Sequence, residues 1–96
     1  MSVRVIVEFQ AKSGQREELL GLFERMTTDG PPMPGSLGAT FYRAVDDPNV
    51  VVEIADWESA RARETVFEEF EAAGALAPMF ELLAGPPRTT LVEPLH

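Results

Sequence analysis

The sequence predicts an α+β fold, and three observations carry the prediction. Residues 3–9, "VRVIVEF", alternate with period two and put Val3, Val5, Val7 and Phe9 on one face, the mark of a half-buried strand. Residues 15–28 carry Leu19, Phe23 and Met26 at helical spacing, flanked by Leu20 and Leu22. Two strand-like runs, 37–44 and 50–56, stand on either side of the turn "DDPN" and form an antiparallel hairpin. With the elements that follow, the order is β-α-β-β-α-(α)-β. That is a ferredoxin-like sandwich (βαββααβ), a four-stranded antiparallel sheet with its helices on one face.

Each element has its own start and stop signals. Lys12, Ser13 and Gly14 turn the chain after the first strand. Ser13 is the predicted N-cap of the first helix, with Glu17 and Glu18 at its positive end. That helix stops in "DGPPMPGS", where Gly30 suits a helix end and Pro31, Pro32 and Pro34 cannot continue one. In the hairpin, Leu37, Ala39, Phe41 and Arg43 share one face, and Gly38, Thr40 and Tyr42 the other. Ser59 caps a second helix over 60–73, with Ala60, Val66, Phe67 and Phe70 apolar and Arg61, Arg63 and the glutamates solvated; Gly74 ends it. A short third helix over 77–83 starts with Pro78 in its first turn and buries Met79, Phe80 and Leu83. "RTTLVEPL" is the last strand, ended by Pro94. The far face of the sheet is expected to carry Ile6, Val51 and Ala55 among charges. A second copy packed on it, sheet to sheet, would cover them in a homodimer.

Composition limits the function classes. Ninety-six residues, 45% hydrophobic and 25% charged, suit one globular domain, 1–96, with a single core. A net charge of −8, with eight scattered Lys and Arg, disfavours nucleic acid and anionic membranes as partners. There is no cysteine, and the one histidine is the terminal His96, so disulfides, thiolate sites and most zinc sites lack ligands. The opening residues form a strand bearing Arg4 and Glu8 rather than a leader, and no apolar run reaches membrane length; a cytoplasmic location is expected.

Four segments, in order, carry a resemblance: "EFQAKSGQREELLGLF", "PGSLGATFYRAVDDPN", "WES" and "LLAGPP". Together they resemble the antibiotic biosynthesis monooxygenase family across nearly the whole chain. The resemblance implies a dimeric α+β barrel with a pocket between helices and sheet in each subunit. It also implies a hydrophobic aromatic ligand of the anthrone or quinol type, related to polyketides, oxidised by molecular oxygen without cofactor or metal. Relatives in the family degrade haem or bind other small molecules. The chain departs from the family at several positions. Thr65, Val66 and Phe67 stand where many members carry a histidine, and Ala55 where a glutamate is often found. Val7 and Leu76 stand where the haem degraders carry their asparagine and their haem-ligating histidine, which speaks against haem degradation. The missing histidine keeps a second reading open: a non-oxygenase small-molecule binding protein, or a polyketide cyclase-like accessory protein, on the same barrel.

The candidate catalytic residues are Trp57, Tyr42 and Arg43. Trp57, at the step from strand to helix, is either the wall of a pocket, its indole N–H facing a ligand oxygen, or a corner of the core. Tyr42 and Arg43 are adjacent in a strand and point to opposite faces, so one of them reaches the pocket. Arg88 has similar standing. Val7, Phe9, Phe23, Phe41, Phe67, Phe70, Met79 and Phe80, with Met26, are the candidate substrate-binding set, read against ordinary core packing. Glu53 and Asp56 are possible bases if buried, but a solvated edge or an interface ion pair is the preferred reading for both. The remaining glutamates of the second helix have no metal-ligand pattern.

Overall fold

The structure is a computed structural model that describes residues 2–30 and 32–95. The expectations placed on Pro31 and His96 lie outside the described residues. The elements are β1 (Val3–Gln10), α1 (Arg16–Thr28), β2 (Ser36–Arg43), β3 (Val50–Trp57), α2 (Ala60–Ala72), α3 (Ala77–Glu81) and β4 (Arg88–Val92). The strands form one antiparallel sheet in the order β2-β3-β1-β4, the ferredoxin-like arrangement.

Pairing decides which face of each strand is buried. Val5, Val7 and Phe9 of β1 lie opposite Ala55, Glu53 and Val51 of β3, and this face packs under the helices. Leu19 and Phe23 of α1, and Val66 and Phe70 of α2, close the core from above, with Leu76, Met79 and Leu83 from the segment around α3. The expectation that Val51 and Ala55 lie on the far face is corrected. Both are buried on the helix side, and Ile6 lies on the far face as expected, joined there by Val52 and Ile54. The reason is that β3 is apolar in both registers, so alternation alone does not say which side faces in.

Local signals mostly act as their chemistry dictates. Ser59 caps α2, its hydroxyl accepting from the Ala62 N–H at 3.1 Å. Gly74, at φ +72°, turns the chain out of that helix. Asp47 accepts from the Asn49 N–H at 2.9 Å within the hairpin turn, and Arg16 donates to the Ala44 and Asp47 carbonyls, tying the turn to the start of α1. Ser13 is not a cap. Gln15 holds the N-cap position of α1 without a side-chain bond, because a turn through Gly14 (φ +78°) precedes the helix. Gly35 (φ +89°) lets the β2 entry approach α2 closely: a Cβ there would stand 2.6 Å from the Ala62 Cβ. Phe80 corrects a further expectation. α3 is one short turn, and Phe80 remains 50% exposed while Met79 and Leu83 are buried.

Candidate functional site

A cavity of about 340 Å3 opens between the sheet and the helices. Its floor exists because Ala39 and Ala55, two small side chains, lie opposite each other on β2 and β3 beside Trp57. Larger residues rise on both sides of that gap. On one side Phe9, Phe23 and Phe41 form a continuous aromatic wall, with ring centroids 4.8 and 4.9 Å apart and the second pair stacked. On the other, Trp57, Phe67 and Phe70 meet at tilted and edge-on angles, with centroids 6.4 and 6.2 Å apart. Such walls suit a flat apolar ligand.

All eight residues expected to bind substrate line this cavity: Val7, Phe9, Phe23, Phe41, Phe67, Phe70, Met79 and Phe80. Met26 does too. Many of the same side chains also belong to the core, so the two readings of them describe one surface seen from two sides. Trp57 is both a corner of that core, 4% exposed, and a lining residue.

Tyr42 and Arg43 are not brought to the cavity. Tyr42 lies opposite Val52 on the far face of the sheet and is 49% exposed. Arg43 shares the helix-side face with Phe41, but sits at the end of the strand and donates to Glu17 of α1 at 2.7 Å, holding that carboxyl below its usual range. The expectation that one of the two reaches the pocket is therefore corrected: strand end and strand face each exclude one. Asp56 pairs with Arg4 on the far face at 2.9 Å. Arg88, the first residue of β4, lies opposite Glu8 and away from the cavity.

Two polar residues that the sequence reading set aside stand in the cavity wall. Glu53 lies on the helix-side face of β3, between Val7 and Phe41 on the neighbouring strands. Arg63 enters from α2, its guanidinium 4.5 Å from the centroid of the Phe67 ring, a cation–π contact. The expectation that Arg63 is solvated is corrected; it is half-buried. A signal for it was present, because Arg63 precedes Phe67 by four and Phe70 by seven on one helical stripe. Glu53 shares the period-two register of Trp57, and fixing that register inward would have placed it.

Burial pushes the Glu53 carboxyl above the ordinary glutamate range, and the charge of Arg63 opposes part of the rise. Burial pulls Arg63 downward in turn, against the attraction of Glu53 and Glu64. A raised carboxyl keeps its proton to higher pH in the folded state than in the unfolded chain. Stability therefore declines as pH rises from the ordinary glutamate value through the raised one. Glu53→Gln is accordingly expected to melt above the parent at about pH 8 and to converge with it near pH 4. A lower melting temperature at pH 8 would show that attraction to Arg63 outweighs desolvation.

Among the described residues, no group of three or more His, Cys, Asp or Glu side chains is placed to hold a metal ion, and no helix is long and apolar enough to cross a membrane. A second hollow of about 260 Å3 lies beside Gly35 and α2.

No match is found among curated proteins. Rv0793 from Mycobacterium tuberculosis is similar in structure, with a TM-score of 0.79 at 24% identity over 100% of this chain and 97% of that one. SnoaB, a cofactor-independent oxygenase from Streptomyces nogalater, is similar with a TM-score of 0.81 at 20% identity, over 99% and 94% of the two chains. A conserved protein from Methanosarcina mazei Go1 shares the fold at 13% identity, with a TM-score of 0.79 over 96% and 91% of the chains. The sequence model of the antibiotic biosynthesis monooxygenase family matches residues 2–75, well over half of the chain. The protein with this aromatic-walled cavity belongs to the antibiotic biosynthesis monooxygenase family.

Proposed function

We propose that the protein is a cofactor-independent monooxygenase that oxidises a hydrophobic aromatic substrate of the anthrone or quinol type, polyketide-related, with molecular oxygen. The observation that carries this reading is the cavity with two aromatic walls, closed at one corner by Trp57. Membership of the family and the description of SnoaB as a cofactor-independent oxygenase support it. An electron-rich enolate or phenolate gives an electron to oxygen without help from a flavin or metal. For an anthrone, the methylene carbon becomes a carbonyl with one oxygen atom, and the second oxygen leaves as water with the two hydrogens. The protein's share is to exclude water, to hold the ring, and to favour the deprotonated form. In this reading the eight apolar lining residues hold the ring, and the Trp57 indole N–H donates to a substrate oxygen.

Oxygen uptake and quinone absorbance, measured with anthrone and quinol substrates in air and under nitrogen, test the reading. Trp57→Phe is expected to slow turnover about tenfold, the worth of one hydrogen bond of about 1.4 kcal/mol. Absence of oxygen-dependent turnover across such substrates overturns it. Binding without oxygen uptake would instead favour the small-molecule binding or cyclase-like reading, which the want of a histidine among the described lining residues supports.

We infer further that the far face of the sheet pairs with a second copy of the chain. Ile6, Val52 and Ile54 form a half-buried apolar strip beside Tyr42, and sheet-to-sheet packing covers such a strip. In this dimer Tyr42 belongs to the interface rather than to the pocket. Sedimentation is expected to give a dimer for the parent and a monomer for Ile54→Lys. A monomeric parent at micromolar concentration overturns the pairing.

A further inference from the structure

The cavity is mostly apolar, and its charged side chains stand where β3 faces α2. Among the described lining residues, Glu53 and Arg63 are the only charged or titratable ones; Thr27 of α1, Ser36 of β2, Thr89 of β4 and Trp57 are the other residues with polar side-chain atoms. Next to Glu53 on the sheet, β1 and β2 present only Val7 and Phe41. Glu64, on the helix of Arg63, is the other carboxylate that Arg63 feels, and it lies outside the lining. Among the described residues no ion pair joins Glu53 to Arg63, and neither side chain makes a hydrogen bond to another protein group. The guanidinium lies against Phe67 instead. An acid and a cation thus face one largely apolar space without a protein hydrogen-bond partner, and since no described side-chain polar atom is both fully buried and unpaired, theirs stay open to solvent and free to meet a ligand.

We propose that the cavity takes a flat aromatic ligand with one ionisable hydroxyl, a phenol or an enol, whose O–H is bonded to Glu53 and whose oxygen faces Arg63 once the proton has passed to Glu53. The proposal rests on the substrate-site reading above and names what that substrate carries. In the proton step the ligand O–H bond breaks and the proton joins the Glu53 carboxylate, giving a neutral acid. The electron pair stays on the ligand oxygen, and Arg63 meets the new negative charge. The total charge in the cavity does not change, so no counter-ion has to enter from water. A carboxyl raised by burial is a better proton acceptor than a solvated one, while a guanidinium stays cationic throughout. The ligand proton and the Glu53 proton titrate as a coupled pair.

Trp57 is the only tryptophan in the chain and lines the same cavity, so its fluorescence reads occupation without turnover. The probes are 4-nitrophenol, whose ionised form is yellow, and 4-nitroanisole, its methyl ether, which has no proton to give. The parent is expected to bind the phenol about tenfold more tightly than the ether, the worth of one buried hydrogen bond. Glu53→Leu is expected to bring the two probes to equal affinity. Bound phenol is expected to turn yellow about one pH unit below free phenol, and Arg63→Met to abolish that shift. Glu53→Gln keeps an acceptor oxygen but cannot take the proton. It is expected to retain the phenol preference, to turn over anthrone about a hundredfold more slowly, and to lose the rise of rate with pH. Equal affinity of the folded parent for phenol and ether, or an unshifted colour change, overturns the proposal and leaves the substrate-site reading standing. If neither probe nor anthrone quenches Trp57, the substrate-site reading fails, and the proposal falls with it.

Discussion

Leu19→Ala is expected to lower the stability of the fold by about 3–5 kcal/mol, read from urea unfolding. Leu19 is the largest of the fully buried side chains and sits at 0% exposure on the inner face of α1. Its removal strips α1 of one of its two buried side chains and leaves Phe23 to seat the helix on the sheet. A domain of this size holds about 5–15 kcal/mol in total, so one truncation removes a large share. The melting temperature is expected to fall by more than about 12 °C, at about 4–8 °C for each kcal/mol. The effect is large because the core is thin. A sheet with a cavity beside its centre has fewer apolar neighbours to close around a new void. A loss below about 1 kcal/mol would mean that α1 is not anchored through Leu19.

Ala39→Trp is expected to weaken ligand binding at least about a hundredfold, or about 2.7 kcal/mol, while changing stability by about 0.5 kcal/mol or less. Ala39 lies on the edge strand β2, facing the floor of the cavity opposite Ala55. An indole there fills the gap that the two alanines leave, and aromatic side chains suit strand positions. The parent and the variant are to be titrated with the same aromatic ligand, with Phe67 and Trp57 intact in both. Unchanged affinity would move the ligand out of this cavity, toward the hollow lined by Gly35, Glu58, Ala62 and Glu69.

The lining of the cavity was legible where helical and strand periodicity carry a strong hydrophobic signal. Every phenylalanine named as a ligand contact lines the cavity, because a residue that faces inward from a helix or strand must face whatever space the core leaves open. Arg63 was harder to read. A charged side chain on an apolar stripe looks solvated until the neighbouring ring that shields its guanidinium is placed. Glu53 was misread for the reason that misplaced Val51 and Ala55. The run "VVVEIAD" is apolar in both phases, and only the pairing with β1 chose between them. Tyr42 and Arg43 show the converse. Alternation correctly put them on opposite faces, but what meets each face is a matter of which helix or surface lies there.

Sequence by itself determined the order of elements, the hairpin turn, the Ser59 cap and the inward phenylalanines other than Phe80, since these follow from dihedral preferences, local hydrogen bonds and periodicity within a few residues. Tertiary structure alone decided which face of β3 is buried and that Arg43 is taken up by Glu17. It also decided that two alanines from different strands meet to open a floor, and that Glu53 and Arg63 face one another's space without pairing. These depend on contacts between residues distant along the chain, and no local pattern encodes the distance between them.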